Sequence, residues 1–137
     1  MTIMFEVPFV KGKERPRFSR SGKHVYTPSK TAKAEREIRK AFIAAGGVKA
    51  PKGVEVAVHI TTVRPLPKSR PKRIESEPDI CRPDVDNISK AVLDALNGVA
   101  WEDDSQVTEL VVGKCERMRG VTEQTVVWIN WEVPNGE

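Results

Sequence analysis

Residues 82–107 read RPDVDNISKAVLDALNGVAWEDDSQV. Ile88, Ala91, Val92, Ala95, Leu96 and Val99 recur at three- and four-residue steps, the period of an amphipathic helix. Asn87, Lys90, Asp94 and Asn97 fall on the opposite face. Asp86 fits an N-cap, with its carboxylate on free backbone N–H groups, and Gly98 fits a C-cap. Pro83 biases Arg82 towards an extended backbone, so the spacing predicts a helix over 87–97. Asp84 and Asp86 stand at its start, and Glu102-Asp103-Asp104 follows its end. At about 1.5 Å per residue the helix is roughly 16 Å long. The chain from Asn97 to Asp104 reaches about 25 Å when extended. It is therefore long enough to return Asp104 to Asp84 and Asp86, with the next strand running alongside the helix.

Three carboxylates at one point repel one another unless a cation lies between them. An all-oxygen carboxylate site suits Mg²⁺ or Mn²⁺. Lys90, one turn after Asp86, is placed to neutralise charge or hold a phosphate. The same residues have ordinary uses. Asp before a helix caps it, Asp86 and Lys90 are spaced as an i,i+4 pair worth a few tenths of a kcal/mol, and acidic turns face water. Spacing alone leaves both readings open.

PDVDNISKAVLDALNG followed by WEDDSQV resembles the signature of the RusA family of Holliday-junction resolvases. Asp84, Asp86, Asn87, Lys90, Asp94, Ala95, Leu96, Trp101, Asp103, Asp104 and Gln106 carry the resemblance. The basic Arg15-Pro16-Arg17 segment and the order of strands and helices also fit. The resemblance implies a small homodimeric, Mg²⁺-dependent endodeoxyribonuclease of the kind common in phages and prophages, with Mn²⁺ able to substitute. Its implied substrate is a four-way junction, cut in opposite strands during DNA recombination and repair. It implies that Asp84, Asp86 and Asp104 bind the metal, with Asp103 as an adjoining candidate, and that Lys90 is needed for cleavage.

The chain has 137 residues, enough for one domain over 1–137 with a modest core. No apolar run approaches a membrane span, and the first residues lack a signal-peptide pattern, so a cytoplasmic protein is expected. Cys81 and Cys115 form no CxxC pair, and with His24 and His59 they make no zinc cluster. Both cysteines are expected to be reduced. The net charge of +4 hides a segregation. Lys11 to Lys40 holds eleven Lys/Arg against three Glu, whereas Glu75 to Glu109 holds ten Asp/Glu against two Lys/Arg. Basic residues that take phosphates beside an acidic cluster that takes a cation suit a protein acting on a polyanion.

Ile3, Phe5, Val7 and Phe9 alternate with Thr2, Met4, Glu6 and Pro8 as a half-buried strand. Residues 11–26, KGKERPRFSRSGKHVY, suggest a basic hairpin turning at Ser21-Gly22, with Lys13, Arg15, Arg17, Arg20 and Lys23 available to DNA phosphates. Phe18 and Tyr26 are placed either to stack on an unpaired base or to pack on the domain. Thr27-Pro28 opens a helix that Gly46-Gly47 ends, with Ala34, Ile38, Ala41, Phe42 and Ala45 as its apolar stripe. Val54 to Thr62 alternates as a strand. Residues 64–82 hold four prolines and no period, which suggests a mobile loop whose Lys68, Arg70, Lys72 and Arg73 contact DNA. Strands over about Val107–Glu116 and Thr125–Val133 complete the chain.

The expected fold is α+β: one mostly antiparallel or mixed sheet with two helices on one face. Trp128 and Trp131 serve either the core or a dimer interface. Two other functions fit parts of the pattern. A non-catalytic branched-DNA-binding protein would use the acidic residues only as caps. A Mg²⁺-dependent nucleotide phosphohydrolase would have little use for the basic segments.

Overall fold

The computed structural model describes residues 1–14, 17–18, 22, 25–26 and 29–134. In chain order the elements are β1 (Thr2–Val7), β2 (Arg17–Phe18), β3 (Val25–Tyr26), α1 (Ser29–Ala44), β4 (Val56–Val63), β5 (Ser76–Glu77), α2 (Val85–Leu96), β6 (Val107–Lys114), β7 (Arg117–Met118) and β8 (Gln124–Trp131). A 3-10 turn, Asp104–Gln106, leads into β6. The main sheet has the order β1-β8-β4-β6. Its pairs are antiparallel except β4–β6, which is parallel and therefore needs a long crossover. Residues 64–106, including α2, supply that crossover.

The expected α+β architecture is the observed one. Burial alternates along β1, β4 and β8 because successive side chains point to opposite faces. Phe5, Val58, Ile60, Val127 and Ile129 face the helices and meet Ile38 and Phe42 of α1 and Ile88, Val92 and Leu96 of α2 in one core. Phe5 and Phe42 meet edge to face, with ring centroids 6.1 Å apart. Trp101 closes this core beside the end of α2 and is fully buried. The opposite sheet face is uncovered. Its cross-strand row runs Met4, Trp128, His59, Val111. The outward-facing strand residues include Glu6 and Glu109 and no Lys or Arg among the described residues. β6 is an edge strand, and its Leu110 and Val111 are exposed. No helix is long and apolar enough to cross a membrane, among the described residues.

The 64–82 segment, expected as a mobile loop, carries a short strand. Its β5 pairs with β7, and Leu66 N–H donates to the Met118 carbonyl at 2.9 Å. The Arg119 guanidinium donates to the carbonyls of Arg70, Pro71 and Ile74 at 3.1, 2.6 and 3.0 Å. One planar cation with several donors satisfies the backbone of a turn that has no period of its own. The expected basic hairpin is described through its β2–β3 ladder, with Gly22 at φ 68°. Arg15, Arg20 and Lys23 lie outside the described residues, as does the side chain of Arg17.

Candidate active site

α2 begins two residues earlier than its periodicity suggests. Val85 is the first helical residue, Asp84 occupies the N-cap position, and Asp86 sits inside the first turn. The expected capping by Asp86 is therefore absent, and the Asp84 side chain makes no cap hydrogen bond either. Both aspartates are exposed, and their carboxylates carry no hydrogen bond or ion pair among the described residues. Lys90, one turn on, is exposed and leaves the i,i+4 pair with Asp86 open. Two uncommitted carboxylates thus stand at the positive end of a helix dipole, which favours negative charge there. They are chemically fit to hold a hard divalent cation. Mg²⁺ binds through one or two carboxylates and fills its remaining positions with water and phosphate oxygens.

Asp104 is not with them. Ala100 N–H donates to the Leu96 carbonyl at 2.8 Å, so the chain turns tightly at the C-terminal end of α2. Trp101 follows, and its indole Nε1–H donates to Asp104 Oδ1 at 2.8 Å. β6 then starts beside the start of β4, at Val56, and runs back along α2. Its last residue, Lys114, donates from Nζ to the Pro83 carbonyl at 3.0 Å, at the N-terminal end of the helix. Twelve helical residues span about 18 Å, so Asp104 and the Asp84–Asp86 pair lie at opposite ends of α2. The expected meeting of the three carboxylates within one chain does not occur. The reach of the chain allowed it, but the buried Trp101 and the β4–β6 register hold the acidic turn at the far end. No group of three His, Cys, Asp or Glu able to hold a metal forms among the described residues.

Asp103 has work of its own. Its Oδ2 accepts from Ser105 N–H at 2.9 Å, while Gln106 Oε1 accepts from the Asp103 N–H at 3.2 Å, forming a capping box. The Ser105 hydrogen bonds hold the Asp103 carboxyl below the usual range.

The basic candidates divide. Lys13 is mostly buried and bonds Glu35 at 2.5 Å and Asp94 at 3.2 Å, and its N–H donates to the Asn87 carbonyl at 3.1 Å. It ties its own segment to both helices and is not available to a phosphate. Burial works against its charge, but the hydrogen bonds to Glu35 and Asp94 outweigh that and raise its pKa above the ordinary lysine value. Arg70 is paired with Glu77 at 2.9 Å. Lys68, Lys72 and Arg73 are exposed and without ion pairs among the described residues. Close approach near the site depends on Gly12, because a Cβ there would lie 2.7 Å from Pro83 Cβ and 3.1 Å from Asn87 Cβ. Lys11, its neighbour, lines a cavity of about 270 Å³ with Phe9, Lys30, Lys33, Ala34 and Glu37. This extends positive charge from the start of α1 towards the α2 N-terminus.

Sequence reasoning missed Arg64, Asp79 and Lys114. Arg64 Nε and Nη2 donate to the two oxygens of Asp79 at 3.0 and 3.3 Å, and Nη2 also reaches the Arg82 carbonyl at 2.7 Å. Lys114 Nζ donates to the carbonyls of Cys81 and Pro83. These partners lie 15 to 33 residues apart, and no local pattern announces them.

Comparison with known proteins identifies a family. Residues 8–129 match the family described as endodeoxyribonuclease RusA. Uncharacterized protein YqaN of Bacillus subtilis (strain 168) is 42% identical over 67 residues. That similarity takes in 43% of this chain and 47% of YqaN, so the chain spans about half of that relative. By the extent of the family match, the chain belongs to the RusA endodeoxyribonuclease family.

Proposed function

We propose that this protein is a divalent-metal-dependent endodeoxyribonuclease that resolves four-way DNA junctions by paired cuts in opposite strands. The observation that carries the reading is the Asp84–Asp86 pair, whose carboxylates have no partner among the described residues at the start of α2, in a chain of this family. Asp84 and Asp86 would hold a divalent cation such as Mg²⁺, which when bound would supply Lewis-acid polarisation of the scissile phosphate and a more acidic water. Lys90 is the residue beside them able to stabilise charge on phosphoryl oxygens. Lys11, Lys30 and Lys33, and with them Lys68, Lys72 and Arg73, carry no ion pair among the described residues and are available to take phosphates.

The separation of Asp104 from this pair favours a two-fold homodimer. β6 is an open edge with Leu110 and Val111 exposed, the kind of strand that pairs with another chain. Antiparallel pairing of two β6 strands sets the start of one beside the end of the other. The partner's Asp104 then approaches Asp84 and Asp86, and two equivalent sites match the two cuts a junction requires.

The test is cleavage of a labelled four-way junction against a matching linear duplex, in Mg²⁺ and in EDTA. Wild type should make paired cuts in opposite strands only with metal. Asp86→Asn should abolish cutting while keeping or improving binding, because a ligand and some repulsion of phosphate are both removed. Binding without cleavage by wild type would favour a non-catalytic DNA-binding protein. Turnover of mononucleotides would favour a phosphohydrolase. Equal cutting of linear duplex would withdraw junction selectivity.

A further inference from the structure

The segment that delivers Asp84 into the site is held from behind by a buried ionic cluster. Asp79 is a buried carboxylate, its side chain 1% exposed, between two cations. Arg64, at the end of β4, binds it through two nitrogens and reaches on to the carbonyls of Cys81 and Arg82 at 3.4 and 2.7 Å. Lys114, the last residue of β6, lies 3.9 Å from Asp79 and donates to the carbonyls of Cys81 and Pro83. Asp79 Oδ1 also accepts from the Cys81 N–H at 3.3 Å. Carbonyls 81, 82 and 83 are thus all taken by cations that grow from the ends of two core strands. The cost of burying such charges is recovered only when every group is satisfied. The body of α2 is already anchored by Ile88, Val92 and Leu96 in the core. What the cluster adds is a fixed backbone for the three residues before Asp84.

We propose that Arg64, Asp79 and Lys114 are positioning residues for the metal-binding carboxylates. They hold Cys81–Pro83 so that Asp84 and Asp86 stay side by side despite their mutual repulsion, which preorganises the pair for a divalent cation. This rests on the metal-site reading above. It assigns the cluster a role in metal affinity rather than in DNA contact, because its charges face the backbone of their own chain.

The experiment compares wild type, Lys114→Met, Lys114→Arg, Arg64→Lys and Asp86→Asn. Mn²⁺ binding is followed by electron paramagnetic resonance on the DNA-free protein. Junction binding in EDTA is followed by gel shift, and amide exchange is read at Ile88, whose N–H donates to the Asp84 carbonyl at 3.0 Å. Lys114→Met and Arg64→Lys should each weaken Mn²⁺ binding by about ten-fold, the scale for losing a group that orients a ligand. They should speed exchange at Ile88 and leave metal-free junction binding unchanged. Lys114→Arg should restore much of the loss. Unchanged exchange at Ile88, or unchanged Mn²⁺ affinity in folded variants, overturns the proposal. Loss of junction binding in EDTA with normal Mn²⁺ affinity also overturns it and makes Lys114 a DNA contact. If Lys114→Met does not fold, Arg64→Lys decides, since it keeps the charge and loses only the forked reach. If Asp86→Asn binds Mn²⁺ as wild type does, the metal-site reading itself has failed, which is a separate outcome.

Discussion

A mixture of two dead variants should recover activity. Asp86→Asn removes a carboxylate at the N-terminal end of α2, and Asp104→Asn removes one beyond its C-terminal end. The helix between them spans about 18 Å, which two aspartate side chains cannot bridge. If Asp104 serves the site, it therefore serves the site of the partner subunit. In a heterodimer both lesions then fall in one site, and the other site is intact. Equal random mixing makes half of the dimers heterodimers, each with one working site of two, so about a quarter of the wild-type sites return. The assay is junction cleavage after co-refolding the two variants, with subunit exchange checked by a size tag on one of them. The main product should be a junction nicked in one strand, because paired cuts need both sites. A mixture with verified exchange that cuts no better than either variant alone would refute the shared-site geometry.

Three other outcomes follow from the packing. Gly12→Ala drives a Cβ into Pro83, so junction cleavage should fall several-fold as the segment before Asp84 shifts; unchanged cleavage would show that the contact yields freely. Lys13 has its pKa raised by Glu35 and Asp94 against the opposing effect of burial, so its stabilising contribution is full below the unfolded lysine pKa of about 10.4 and is lost as pH rises through the folded value. The difference in Tm between wild type and Lys13→Met should therefore shrink above about pH 10, and a constant difference would remove the linkage. Replacing Lys68, Lys72 and Arg73 together by Ala should weaken junction binding and flatten its salt dependence by up to about three counterions, whereas an unchanged slope takes this tip out of the DNA path.

The elements that bury one face were legible in the sequence. Ile88, Val92 and Leu96 announce α2 by their period, and the alternations in β1, β4 and β8 announce the sheet. The direction of return after α2 was not legible. The reach of seven residues permits Asp104 to lie at either end, and the choice is made by burial of Trp101 and by the parallel β4–β6 register, both long-range effects. The 64–82 segment reads as loose because its order is imposed from Arg119 and β7, some 40 to 50 residues away. Lys13 reads as one more surface cation in a basic run. Only the fold shows Glu35 and Asp94 converging on it. Asp84 and Asp86 could be picked out because the motif surrounds them, whereas Arg64, Asp79 and Lys114 act through backbone carbonyls, which leave no mark on residue type.

The uncovered sheet face has a consequence for encounter in solution. It presents Glu6 and Glu109 with no lysine or arginine among its described outward residues, while Lys11, Lys30 and Lys33 gather near the start of the helices. Separated charge of this kind gives the molecule a built-in electric polarity. In the field of a polyanion it feels a torque as well as an attraction, so it turns its helical side forward before contact. Added salt shortens the distance over which that turning acts, to about 8 Å at physiological ionic strength. Orientation is then lost sooner than attachment, and productive collisions become rarer even where binding persists.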